Sequence, residues 1–195
     1  MKKIVLIIFV FFSCFFCYSN EYKKSLLSID VGLNFNTEEL GVFSDDMEMI
    51  SSVSGSVAIN GFSTFNRWVG LKSAFQMNFP AISMYSSITN SYYLDAEYYL
   101  HSDLFIACAF TPVNSEKNIL AISYGLHMQN YFLIHDIRFG MGLGLDYYHL
   151  FGKRFFFDVG TTIYSDFLSI SAISHSDSFI GAKMECHVGL GFKIK

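Results

Sequence analysis

Phe179–Lys195 reads FIGAKMECHVGLGFKIK. Every second residue from Ile180 to Ile194 is apolar, and the residues between them are glycine, lysine, glutamate and histidine. Because successive side chains of a β-strand point to opposite faces, this segment is predicted to form one strand with an apolar and a polar face. The apolar face would lie in the core of a soluble sandwich. In a membrane barrel it would lie against lipid, with the polar face turned inward.

Similar alternation recurs along the chain and predicts further strands. Residues 26–36 and 134–148 show it most clearly. Proline has no N–H to donate to a sheet, so Pro80 is predicted to end a strand. We predict ten strands, over residues 26–36, 51–62, 67–79, 91–101, 104–110, 119–129, 134–148, 154–164, 167–173 and 179–195. The longer loops are predicted at residues 37–50, 81–90 and 111–118, and a tight turn at residues 102–103.

The composition favours a membrane barrel over a soluble domain. Charged residues make up 15% of the chain, whereas soluble domains average about 25%. No segment after residue 19 reaches the roughly 20 apolar residues of a spanning helix, and only a closed barrel otherwise satisfies the backbone in lipid. We therefore predict an all-β, antiparallel, up-and-down transmembrane β-barrel of eight to ten strands. Ten is favoured, and eight applies if residues 167–173 belong to a loop.

A barrel of this kind is closed by its first and last strands, so residues 179–195 are predicted to pair with residues 26–36. The alternative fold is a secreted or lipid-anchored soluble β-barrel that binds an apolar ligand. In that alternative the apolar faces point inward and the charged faces point to water.

The N-terminus has the features of an export signal. Met1-Lys2-Lys3 precedes an apolar run that is too short to span a bilayer, and small residues stand at −3 and −1 from a cleavage point after Ser19. We predict a signal peptide over residues 1–19 and a barrel domain over residues 20–195. Lipidation at Cys14 is the alternative form of processing.

Charge and side-chain chemistry exclude several function classes. The formal net charge is −4 at pH 7, which argues against a nucleic-acid partner. Cys108 and Cys186 do not form a disulfide framework, and the six histidines show no metal-ligand spacing. Ser123, His127 and Asp146 would suit a lipid-modifying enzyme, but a polar lumen brings such trios together by chance. We predict no enzymatic activity, no cofactor and no metal site.

The polar faces of the predicted strands carry both signs of charge. The interior of an eight-stranded barrel is just wide enough for side chains to fill it. A plugged polar core is therefore the favoured interpretation, with a narrow conduit for small solutes as the alternative. The predicted lumen-facing residues are Asp30, Lys72, Asp95, Glu97, His127, Arg138, Asp146, Asp158, Lys183, Glu185 and His187.

Two further features bear on the barrel ends. Tyrosines near predicted strand ends suit aromatic girdles at the membrane interfaces; they are Tyr92, Tyr93, Tyr98, Tyr99, Tyr147, Tyr148 and Tyr164. Residues 37–50 carry five acidic residues and no Lys or Arg. This segment is predicted to be an exposed loop, and it is the candidate contact for an extracellular ligand.

The signal at Met1–Ser19, the alternating strands and the final Gly189-Leu190-Gly191-Phe192 resemble the small outer-membrane β-barrel proteins of the outer membrane protein A, X and W type. The resemblance covers nearly all of residues 20–195. It implies localisation in the outer membrane, with outer-membrane lipid and the outer-membrane assembly machinery as partners. The implied role is structural, surface interaction or passage of small solutes. Members commonly end in an aromatic residue, whereas this chain ends Ile194-Lys195. No motif carries over a catalytic or binding residue.

Overall fold

The computed structural model describes residues 23–40, 48–86, 91–93, 100–132, 136–171 and 179–194. Within these ranges the elements are all strands, and no helix is long and apolar enough to cross a membrane. The strands are β1 (Ser25–Leu40), β2 (Glu48–Thr64), β3 (Val69–Ser86), β4 (Ser91–Tyr93), β5 (His101–Asn114), β6 (Asn118–Tyr131), β7 (Asp136–Phe151), β8 (Phe155–Ser171) and β9 (Phe179–Lys193).

Eight of these strands form a closed antiparallel ring. The order is β1-β2-β3-β5-β6-β7-β8-β9, and β9 returns to β1. The closing register pairs Leu33 with Cys186 and Val31 with Val188. The predicted up-and-down barrel and its closure by the last strand against the first are therefore confirmed. The three-residue β4 lies outside the ring and pairs with β3.

The barrel has eight strands in its ring, so the preference for ten was wrong. The turn predicted at residues 102–103 lies inside β5. Of the strand predicted at 91–101, the described residues that lie in strands are those of β4 and His101. The two strands predicted at 154–164 and 167–173 are one strand, β8. Gly140 pairs with Asp166 while Phe139 pairs with Leu168, so Phe167 is the extra residue of a β-bulge. A bulge shifts the alternation by one residue, which imitates a strand end in the sequence.

Both prolines of the chain also lie where the ladder is interrupted. Ser56 pairs with Asn78 and Ser54 with Ala81, which places Pro80 in an irregularity of β3. Phe110 and Val113 of β5 flank a similar irregularity that contains Pro112. A bulge accommodates a residue that donates no ladder hydrogen bond. The strands therefore continue past the prolines, and the loops predicted to begin at residues 81 and 111 begin later. The loop predicted at residues 37–50 was also too long, because residues 37–40 belong to β1 and residues 48–50 to β2.

The connections differ between the two ends of the barrel. We call the end that holds Ser25 and Lys193 the terminal end, and the opposite one the distal end. The turns at the terminal end cover residues 65–68, 115–117 and 152–154. Gly152 begins the last of these with φ 70°, a left-handed conformation that favours glycine. At the distal end, the strand bounds leave residues 41–47, 87–100, 132–135 and 172–178 between neighbours in the ring. Three of the four distal connections are therefore longer than any turn at the terminal end, an asymmetry typical of outer-membrane barrels.

The two faces of the sheet are opposite in polarity to those of a soluble barrel. Large apolar side chains point outward, and Ile29, Leu126 and Leu190 are each at least 65% exposed. Charged and amide side chains point into the ring and are buried. The alternative in which apolar faces line the interior is therefore wrong. Cys108 and Cys186 have free thiols on the outer face.

Candidate functional site: the filled lumen

Nine of the eleven predicted lumen residues lie in the part of the chain that the structure describes. All nine are buried inside the ring, with at most 6% of the side chain exposed. Asp95 and Glu97 lie outside the described residues. The nine are Asp30, Lys72, His127, Arg138, Asp146, Asp158, Lys183, Glu185 and His187.

The middle of the lumen holds a group of charged side chains that we call the central cluster: Asp30, Lys72, Asp146, Asp158 and His187. Lys72 Nζ donates to Asp146 Oδ1 over 2.7 Å, and His187 Nε2 lies 3.3 Å from the same oxygen. This lysine, from β3, and this aspartate, from β7, tie together strands that are not neighbours in the ring.

Two carboxylates of the central cluster face each other. Ser28 Oγ donates to Asp158 Oδ2 over 2.7 Å, and Asn60 Nδ2 donates to Asp30 Oδ2. The remaining oxygens, Asp30 Oδ1 and Asp158 Oδ1, are buried and have no hydrogen-bond partner among the described residues. Both occupy the space that a Cβ at Gly189 would need, so they are adjacent and residue 189 must lack a side chain. This pair is destabilising, because two like charges lie close together and have lost their hydration.

A second group, the upper network, lies nearer the distal end and consists of Asn78, Asp103, His127, Asp166 and Lys183. Lys183 Nζ donates to Asp103 Oδ2, which also accepts from Asn78 Nδ2 over 3.0 Å. His127 Nδ1 lies 2.9 Å from Asp166 Oδ1. The lysine and Asp103 belong to β9 and β5, which are four places apart in the ring of eight and therefore lie opposite each other. This ion pair crosses the full width of the lumen.

Aromatic rings complete the upper part of the lumen. The Tyr164 ring stacks on His127 at 4.0 Å, and its hydroxyl donates to Glu185 Oε2 over 3.1 Å. Further towards the distal end, Arg138 Nε donates to Asp136 Oδ2 over 2.8 Å, and the guanidinium lies 4.2 Å from the Tyr131 ring centre. Charge and π-face contacts therefore fill the lumen above the central cluster.

The terminal end of the lumen is apolar, which the sequence analysis missed. The Phe62 and Tyr148 rings stack at 4.9 Å, and Phe156 packs against Tyr148 at 5.9 Å. A Cβ at Gly191 would overlap the Phe156 ring, so this glycine makes room for it. We call this group the terminal plug; it contains Leu26, Phe62, Ala109, Ile119, Ala121, Tyr148, Leu150 and Phe156.

The burial of two tyrosines in the lumen also corrects the prediction of aromatic girdles. Tyr148 and Tyr164 are buried in the lumen and do not face a membrane interface. Tyr147 is partly exposed on the outer face, and its hydroxyl donates to Asn118 Oδ1 over 2.9 Å. The side chains of Tyr92, Tyr93, Tyr98 and Tyr99 lie outside the described residues.

The lumen shows neither a catalytic set nor a metal centre within the described ranges. His127 contacts Asp166 and Asp103, whereas Asp146 pairs with Lys72. The structure therefore does not assemble Ser123, His127 and Asp146 into a catalytic set. No group of three or more His, Cys, Asp or Glu residues in these ranges is arranged to hold a metal ion. The chemistry of the site is charge pairing and hydrogen bonding across the ring.

The chain matches no protein-family model and no curated protein. Among solved structures it is similar to Neisserial surface protein A, with a TM-score of 0.54 and 7% identity over 86% of this chain and 97% of that one. The chain has the fold of a small outer-membrane β-barrel. A weaker similarity, with a TM-score of 0.43 and 11% identity, is to Ail, the attachment invasion locus protein of Yersinia pestis, in complex with the heparin analogue sucrose octasulfate. It covers 88% of this chain and 99% of that one.

Three buried acids of this barrel were not among the predicted lumen residues: Asp103, Asp136 and Asp166. Asp103 was assigned to a turn and Asp166 to the gap between two predicted strands. A signal was present for Asp103, because the alternation of residues 104–110 continues through it to His101. For Asp166 the bulge at Phe167 hid the signal.

Proposed function

We propose that the protein is an integral outer-membrane β-barrel with a closed lumen, which acts as a structural and surface-presenting protein and not as a pore. The observation that carries this proposal is the combination of an apolar outer face with a lumen bridged by side chains along its length. The proposal contains no catalytic step.

The outer face supports membrane insertion. Exposed leucine, isoleucine, valine and phenylalanine side chains occur on all eight strands of the ring, and an apolar surface of this extent is unfavourable in water. The ring strands are 14 to 18 residues long, whereas about 9–11 residues of a tilted strand cross a bilayer. The strands are thus long enough to span the membrane and to project beyond it.

The lumen supports closure. The terminal plug fills one end, the Lys72–Asp146 pair connects β3 and β7 in the middle, and the Lys183–Asp103 pair connects opposite strands above it. A solute that passed through would have to separate these buried ion pairs, and separating a buried pair is strongly unfavourable.

Reconstitution tests the membrane placement. The refolded full chain should insert into phosphatidylcholine vesicles, resist extraction at high salt, and migrate differently on gels with and without heating. A protein that stays soluble without detergent and leaves the vesicles in a salt wash would contradict the proposal.

Planar-bilayer recording tests the closed lumen. The inserted wild-type chain should give no steady single-channel conductance. The variant Phe62→Ala/Phe156→Ala, which empties most of the terminal plug, should still give none, because the ion pairs above the plug remain. A stable conductance step in the wild type would favour the solute-conduit role instead.

The acidic segment at residues 37–50 is proposed as the contact for a cationic extracellular ligand. Its two ends belong to β1 and β2, where Glu39 pairs with Met49 and Leu40 with Glu48, so the segment lies at the distal end, opposite the termini. The variant E38Q/E39Q/E48Q should bind a polylysine probe at least several-fold more weakly than the wild type in vesicles, and the difference should vanish in high salt. Equal binding by both proteins would remove this segment as the contact.

A further inference from the structure

The terminal end of the barrel carries a ring of positive charge. Each of its three turns contains at least one basic residue, and basic residues also stand just before β1 and at the end of β9. Glu116 is the one acidic residue at this end among the described residues. We call this set the basic rim; it comprises Lys23, Lys24, Arg67, Lys117, Lys153, Arg154 and Lys193.

The basic rim borders an outward-facing aromatic zone. Trp68 and Phe110 stack at 5.9 Å on the outer face, and the Arg67 guanidinium lies 4.9 Å from the Trp68 ring centre. Phe151 and Phe155 flank the turn that holds Lys153 and Arg154, and their rings stack at 6.3 Å. Aromatic rings beside basic side chains are typical of the headgroup level of a membrane.

The basic rim has both buried and exposed members. Burial lowers the pKa of the Lys24 ammonium, and the positive charge of Lys193 lowers it further, while Glu116 opposes the effect. The Nζ of Lys24 donates to Asn114 Oδ1 over 3.2 Å and to the Ser115 carbonyl, both of which are uncharged acceptors. Arg67, Lys117, Lys153 and Arg154 are exposed.

We propose that the exposed residues of the basic rim bind the anionic phospholipid headgroups of the leaflet that surrounds the terminal end. This inference rests on the proposed membrane placement and adds the lipid class and the side of the membrane. Guanidinium and ammonium groups next to a bilayer attract anionic lipids, and arginine pairs with phosphate through two parallel hydrogen bonds. The acidic sequence at residues 37–50 belongs to the distal end, away from the basic rim.

Trp68, the single tryptophan of the chain, reports directly on this lipid contact. The full chain is reconstituted in phosphatidylcholine vesicles that contain a fixed fraction of either brominated phosphatidylglycerol or brominated phosphatidylcholine. Bromine quenches tryptophan at short range, so the ratio of the two quenching constants measures which lipid is enriched beside Trp68. We expect brominated phosphatidylglycerol to quench with a constant about fivefold higher, the equivalent of one basic contact with an anionic surface. The ratio should fall towards one in 1 M NaCl.

Two matched variants test whether the charge of the basic rim is the cause. Arg67 lies on the turn before β3, and Lys117 lies on the turn after β5. These two strands pair with each other next to Trp68. In R67Q/K117Q the ratio should fall towards one, and in R67K/K117R, which keeps both charges, it should stay high. An unchanged ratio in R67Q/K117Q, or a lost preference in R67K/K117R, would contradict recognition by rim charge.

The wild-type result separates this inference from the proposed function. Insertion into vesicles with equal quenching by the two brominated lipids would overturn the inference and leave the membrane placement intact. Failure to insert into either kind of vesicle would contradict the placement itself, and the lipid preference with it.

Discussion

The terminal plug and the central cluster are adjacent layers of one lumen, yet they are built on different principles. In the plug, Phe62, Tyr148 and Phe156 pack as in the core of a soluble protein. In the central cluster, stability depends on charge pairing, and Asp30 Oδ1 and Asp158 Oδ1 have no hydrogen-bond partner within the described residues. Apolar packing tolerates partial loss, whereas a buried ion pair that loses one member leaves an uncompensated charge. The stability that the terminal plug supplies therefore tolerates partial loss of packing. The stability of the central cluster depends on each buried charge keeping its oppositely charged partner.

The largest effect is expected when a matched pair in the central cluster is broken. Replacing Lys72 with methionine leaves Asp146 buried beside His187 without its lysine. The free energy of unfolding should fall by about 3–5 kcal/mol, the usual cost of an unpaired buried charge. Urea unfolding in vesicles, followed by Trp68 fluorescence, measures it.

The double variant K72M/D146N is the control for this prediction. It removes both charges, so it should recover at least half of the loss. A double variant as unstable as K72M would mean that shape, and not charge matching, governs the central cluster.

Emptying part of the terminal plug should be somewhat less harmful. Phe156 is fully buried, and its truncation to alanine should lower the free energy of unfolding by about 3–4 kcal/mol through lost burial and a cavity. The variant F156L fills more of the space and should lose clearly less. The same urea titration checks both variants, and equal losses would show that the layer does not behave as a packed apolar core.

Removing an unmatched charge should have the opposite sign. The variant D158N keeps an oxygen to accept from Ser28 and presents an amide donor to Asp30 Oδ1, so stability should rise by about 1–2 kcal/mol. The same substitution at a matched aspartate, D166N, weakens the contact with His127 and should lower stability. If both variants shift the urea midpoint in the same direction, the distinction between matched and unmatched carboxylates is wrong.

The smallest effect concerns Lys24, at the mouth of the barrel below the plug. Its pKa in the folded state lies below the ordinary value of 10.5, so its charged form destabilises the fold. Stability should increase as the pH rises through the folded-state pKa towards 10.5. The variant K24M should lack this increase. The check is the difference between the urea midpoints of wild type and K24M at pH 8 and at pH 10.5, and a difference that is independent of pH would contradict it.

The sequence alone determined, for most strands, which face points outward and which points into the lumen. A strand has a side-chain period of two, so the alternation in residues 179–195 and 134–148 assigns both faces without any knowledge of the partners. Low charge content and the absence of a spanning-helix segment then favoured a barrel, and the antiparallel ring confirms it. Local periodicity is sufficient to assign the faces because each strand shows the same alternation independently of its neighbours.

The tertiary structure decided the number of strands and the contacts inside the lumen. Bulges at Phe167, Pro80 and Pro112 let strands continue where local signals predicted an end, and only pairing with a neighbouring strand reveals them. The partner of Lys183 is Asp103, from the opposite strand, because ring order and register place both side chains at the same height. The same heights gather Phe62, Tyr148 and Phe156 into the terminal plug. Height in the lumen depends on register, which is a property of strand pairs and not of any single segment.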